Sequence, residues 1–265
     1  MTFLVAQAFF FLLLIECEVY TFYITKSIKG DLLMAYPTKL DVQINKINSA
    51  KFGKYGLACL TENESAKELN KMILDEIVKS GNMNVKKLRK MIHEVGLKFK
   101  ADTVSKIPTS IDQSRLDLNQ LYTQFVGDWF EVFAEFFLKT FDNDERYGVR
   151  NYTPAVLEDD LGVDGYGICY DDTKGVHKCV VQVKYRLLKT DEIDYSALAR
   201  TFTSGVLQFD VDPSVDYCII LFCLCKGANL NAQKVLGKRL HIIDDSMINR
   251  EINNVSLWQG FSNCF

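Results

Sequence analysis

The run Val181-Gln182-Val183-Lys184-Tyr185-Arg186 most restricts what this chain can fold into. Its valines and tyrosine favour a strand, and alternation puts Gln182 and Lys184 on one face with Val181, Val183 and Tyr185 on the other. Upstream lies Gly162-Val163-Asp164-Gly165-Tyr166-Gly167, and between the two runs Asp171-Asp172-Thr173-Lys174-Gly175 supplies a turn. Together they predict a β-hairpin with an aspartate on one strand and an amide and an ammonium on the other. Burying those polar groups unpaired costs about 1–3 kcal/mol each, so an apolar strand that carries them needs a chemical reason.

One chemistry accounts for the residue types. Cleaving a phosphodiester calls for a hard cation held by oxygen ligands and a group that serves the attacking water. Asp164 offers a carboxylate, Gln182 a neutral carbonyl, and Lys184 a cation for the water or for the charge that develops on phosphorus. A further carboxylate comes from Asp128-Trp129-Phe130-Glu131-Val132-Phe133-Ala134-Glu135-Phe136-Phe137-Leu138, which predicts an aromatic helix. Glu131 and Glu135 are four residues apart and share a helix face.

Gly127-x-x-Phe130-Glu131, Gly162-Val163-Asp164-x-x-Gly167 and Val181-Gln182-x-Lys184-x-Arg186, in that order, resemble the PD-(D/E)xK nuclease superfamily. The chain is most similar there to the Mrr-like restriction endonucleases, which place glutamine before x-Lys where an acid is usual. The resemblance covers about Gln120 to Ile252. It implies an α/β, restriction-endonuclease-like core, a mixed β-sheet flanked by helices. It also implies a DNA endonuclease that uses Mg²⁺ (or Mn²⁺), with Asp164, Gln182 and Glu131 as metal ligands and Lys184 as the water-activating group. A homodimer would provide the two centres that double-strand cleavage needs. The acids Glu158, Asp159 and Asp160 before Gly162 are rival ligands, or a solvated acidic loop.

Elements after the hairpin fit such a core. Ser196 to Phe202 predicts a helix, Val215 to Phe222 a buried strand, Ala228 and Ala232 the opening of a short helix, and Leu240 to Asp244 a last strand. The second half is therefore expected to run helix, strand, hairpin, helix, strand, helix, strand. Gly165-Tyr166-Gly167 is followed by a strand rather than a helix, so it is not a nucleotide cradle.

Residues 1–115 are expected to form a separate, mainly helical N-terminal region, and residues 116–265 the catalytic domain. An amphipathic helix is predicted from Ser65 to Lys79, then a break at Ser80-Gly81-Asn82. A second helix is predicted from Val85 to Val95, ended by Gly96. The formal charge of the chain is −3. Between Lys67 and Lys106, however, ten basic residues face five acids, which gives this stretch +5 and the remainder −8. The basic face of the second helix, with Lys86, Lys87, Arg89 and Lys90 mostly outward, makes the pair a candidate helix-turn-helix-like DNA reader. Arg186, Lys189 and Arg200 are further candidates for phosphate contact.

Eight cysteines without C-x-x-C spacing predict free, buried thiols and a cytoplasmic or other reducing compartment. The apolar run Phe3 to Ile15 is short for a membrane span and lacks a basic leader, so it is expected to belong to the fold, with no stable membrane association. A second reading stays open, because Gln182 is neutral: a catalytically inactive DNA-binding or interaction protein on a nuclease-like fold.

Overall fold

A computed structural model describes residues 60–105, 118–155, 162–170 and 175–263, all within one compact unit that spans Thr38–Phe265. Helix α1 (Leu60–Ser80) is followed by α2 (Val85–Ser105), α3 (Leu118–Thr140) and strand β1 (Arg150–Pro154). Next come β2 (Gly165–Tyr170), β3 (Val176–Lys184), α4 (Tyr195–Gln208) and β4 (Ile219–Cys223). The chain closes with α5 (Leu230–Leu236), β5 (Leu240–Ile243), α6 (Asp245–Glu251) and α7 (Val255–Ser262). The class is α/β, with a helical N-terminal part. The apolar N-terminal run, the acids Glu158, Asp159 and Asp160, and the stretch from Pro108 to Asp117 lie outside the described residues.

The sheet order is β1-β2-β3-β4-β5. The first two pairings are antiparallel and the last two parallel, so the sheet is mixed as expected. The hairpin pairs Gly165 with Val181 and Tyr170 with Val176. Parallel β3 and β4 need a crossover, and α4 provides it. Its N-terminus is capped by Asp194, whose carboxylate accepts from Ala197 N at 2.9 Å.

Alternation along β3 sorts the core into two layers. Val181 and Val183 face α3 together with Ile220 and Phe222, while Val180 faces α4 with Ile219 and Leu221. The α3 side is aromatic: Phe130 and Phe137 lie 5.5 and 5.4 Å from Phe222, and Phe133 stacks on Trp258 of α7 at 5.2 Å. Such ring pairs add about 0.5–1.5 kcal/mol each beyond the area they bury.

Helix α2 does not end at Gly96. It continues to Ser105, and Gly96 is buried inside it because a Cβ there would meet Tyr122 and Val126 of α3 at 2.9 Å. Phe99 stacks on Phe125 at 4.9 Å along the same contact. The helix start is fastened to the C-terminal helices, with Met83 N donating to Asn253 Oδ1 and Val85 N to Asn249 Oδ1. The α1–α2 pair is thus packed onto α3, α6 and α7. Among the described residues no helix is long and apolar enough to cross a membrane.

Candidate active site

Asp164 sits where β2 begins, at the point where it parts from β3. Its backbone N–H still donates to Val181 O at 2.9 Å, but beyond that the side chain replaces the ladder. Asp164 Oδ2 accepts from the backbone N–H of Val183 at 2.6 Å and also from Gln182 Nε2. Both side chains are buried, so the carboxylate and the amide satisfy each other away from water.

Two glycines make that geometry possible. Gly162 has φ +72°, which an L side chain adopts only at a cost, and a Cβ there would meet the Arg200 stem at 2.9 Å. Gly165 leaves room for Tyr152 of β1, whose ring atoms lie 2.3–2.4 Å from where a Cβ would stand. The Tyr152 hydroxyl donates to Asp164 O at 3.1 Å. Burial pushes that phenol well above its ordinary pKa, and the negative charges of Asp164, Glu135 and Glu131 push it further.

Gln182 and Lys184 point to the α4 side of the sheet, the first fully buried and the second half-buried. On α4, Thr201 is fully buried, and its hydroxyl lies 2.6 Å from Gln182 Oε1 and 2.6 Å from Gly162 O. Sequence reasoning passed over Thr201. The signal was its spacing, since Leu198, Thr201 and the pair Ser204 and Gly205 form one buried stripe at helical period. Tyr152 was missed because its strand was expected without being located.

Of the other residues named from sequence, Glu131 is half-buried on α3 beside buried Glu135, which binds Lys139. Arg200 is exposed next to the Gly162 turn, and half-buried Arg186 donates to Tyr185 O at 3.0 Å. Arg89 corrects the expected outward basic face. It is buried, with its guanidinium 3.0 Å from Asp245 Oδ2 and 3.0 Å from Leu224 O, so it is not offered to a nucleic acid. Lys87 is held by Glu76 at 2.6 Å, whereas Lys86 is exposed and Lys90 is exposed with only a loose 3.6 Å pair to Glu94. Cys169, Cys179, Cys218, Cys223 and Cys225 are free and buried, in line with the expectation for thiols.

Among the described residues no three His, Cys, Asp or Glu side chains are grouped to hold a metal ion by themselves. The Asp164 carboxylate and the Gln182 side-chain carbonyl are nonetheless oxygen donors of the kind hard divalent cations take, side by side in a buried site. The amide must present oxygen rather than nitrogen to do so. No protein-family model, curated protein or solved structure matches the chain.

Proposed function

We propose that this protein is a Mg²⁺- or Mn²⁺-dependent DNA endonuclease of the PD-(D/E)xK type. The observation that carries the reading is the meeting of Asp164 with Gln182 at the parting of two strands, with Lys184 on the same face two residues on. The mixed sheet with α3 on one face and α4 on the other supports it as the frame of a restriction-endonuclease-like core.

Asp164 and Gln182 would hold the cation, and Glu131 of α3 would add a carboxylate. When bound, the cation polarises the scissile phosphate and makes water more acidic. Lys184 Nζ orients the attacking water and stabilises the negative charge that develops on the phosphate oxygens. Asp164 takes its fixed orientation from the Val183 N–H, and the Tyr152 hydroxyl holds the backbone at the same residue. DNA would lie across Arg186 and Arg200, beside the site. Cutting both strands needs two such centres, which a homodimer provides.

A second reading has its own support. With Gln182 Nε2 turned to Asp164, the pair is satisfied without a cation, as suits an inactive DNA-binding protein on this fold. Incubation of wild type and Asp164→Ala with supercoiled plasmid in Mg²⁺ and in EDTA separates the two. The nuclease nicks or linearises plasmid only with metal and only with Asp164. A binder retains DNA in both buffers and cuts in neither.

A further inference from the structure

The Thr201 hydroxyl stands 2.6 Å from two acceptors, Gly162 O and Gln182 Oε1, yet it carries one proton. When that proton serves Gln182, the Gly162 carbonyl faces an oxygen at 2.6 Å with no proton between them. When it serves Gly162, Gln182 Oε1 is the oxygen left facing Thr201. One half-turn of the amide removes the conflict. Gln182 Nε2 then donates to Thr201, Thr201 donates to Gly162 O, and every proton has one acceptor.

The same half-turn moves Gln182 Oε1 to the side of Asp164 Oδ2, where Nε2 now donates. Two oxygens side by side in a buried site repel unless something positive lies against both. The amide therefore has two settings. One is held by its bond to Asp164, with Thr201 able to serve only one of its two acceptors; the other lets Thr201 bond both Gln182 and Gly162 O and is completed by a cation. An amide exchanges its oxygen and nitrogen in this way with almost no change of shape, so the buried walls around Gln182 do not oppose it.

We infer that Thr201 is a positioning residue, whose hydroxyl, bridging Gly162 O and Gln182, stabilises the amide setting that turns the Gln182 carbonyl toward a divalent cation at Asp164. This rests on the nuclease reading of the site. It explains why a buried helix position facing an apolar sheet carries a hydroxyl there. It also gives the neutral glutamine a route to act as a ligand in a place where an acid would need no help.

Titration calorimetry of the full chain with Mn²⁺ tests it, comparing wild type, Thr201→Val and Thr201→Ser, with thermal unfolding in EDTA as the control for folding. Valine keeps the shape and removes the hydroxyl, so Mn²⁺ affinity should fall about tenfold, the scale of one hydrogen bond, while serine stays within about threefold of wild type. Should the valine variant fail to fold, Thr201→Ala takes its place with the same expected loss, and the amide of Gln182 gives a second readout in wild type. The side-chain amide signals of Gln182, identified by their absence in Gln182→Glu, should shift on adding Mg²⁺. Equal Mn²⁺ affinity in wild type and Thr201→Val, or amide signals that stay put while Mg²⁺ binds, would overturn the role of Thr201 and leave the nuclease reading intact. A wild type that binds neither ion overturns both.

Discussion

Arg89 of α2 holds Asp245 at the start of α6 at 3.0 Å, with both side chains less than a tenth exposed. The guanidinium also donates to Leu224 O just beyond β4, so one side chain ties the N-terminal helices to the end of the central strands. Lys189 lies 3.9 Å from the same carboxylate and shares its charge. A buried pair of this kind adds little over a well-packed apolar pair, but breaking it leaves an uncompensated charge.

Arg89→Met should accordingly lower unfolding free energy by about 3–5 kcal/mol, and Arg89→Met with Asp245→Leu should recover most of that loss. Urea denaturation of the two variants checks both values. If the single variant costs as little as a surface substitution, the attachment of α2 to the sheet does not depend on this pair.

Gly165→Ala should destabilise by about 2–3 kcal/mol, because its Cβ would occupy the space of the Tyr152 ring. Adding Tyr152→Ala should make the glycine substitution nearly neutral, since the ring it collides with is gone. A double-mutant cycle by denaturant titration measures that coupling directly.

Burial holds the His241 imidazole below its ordinary pKa, with the Arg146 carbonyl opposing at 3.0 Å from Nε2. The folded state thus binds this proton less readily than the unfolded chain. Its contribution to stability is full above the unfolded value and is lost as pH falls through the folded one. Stability should decline as pH falls below about 6.5, the ordinary imidazole value, and His241→Gln should flatten that part of the profile. Thermal melts across that range in both proteins provide the comparison.

Gln182→Glu would set two carboxylates within hydrogen-bond reach in a buried site. In EDTA the variant should be less stable than wild type by about 1–3 kcal/mol, and saturating Mg²⁺ should restore it by mass action. Melting curves with and without Mg²⁺ read both effects. A variant as stable as wild type in EDTA would contradict the assigned contact between residues 164 and 182.

Much of this arrangement was legible because strands announce themselves locally. The hairpin followed from alternation around Gln182 and Lys184, and the buried strand expected over Val215 to Phe222 forms at Ile219–Cys223, past the polar Asp216. What sequence hid was identity of partners. Gly96 looks like a helix stop unless Tyr122 and Val126 are known to press on it, and then it is the residue that lets two helices approach. Arg89 drew attention for its charge, yet it lies four after Val85 and three before Ile92, inside the buried stripe. Its counter-charge is more than a hundred residues away, at the head of a helix that had not been expected. Thr201 was overlooked for the same reason: its two acceptors come from a turn and a strand far from it in sequence.

Lys184 tests the central claim most directly, because it is half-buried on the face of Gln182 and, among the described residues, no ion pair or hydrogen bond engages its ammonium. Plasmid cleavage by Lys184→Met should be measured in Mg²⁺ beside wild type, together with Mn²⁺ affinity of both. The account requires cleavage to fall by about a hundredfold or more, the scale of a positioned acid–base or charge-stabilising group, while the metal still binds. Wild-type protein that leaves plasmid intact in Mg²⁺, or a methionine variant that cuts at the wild-type rate, would contradict it.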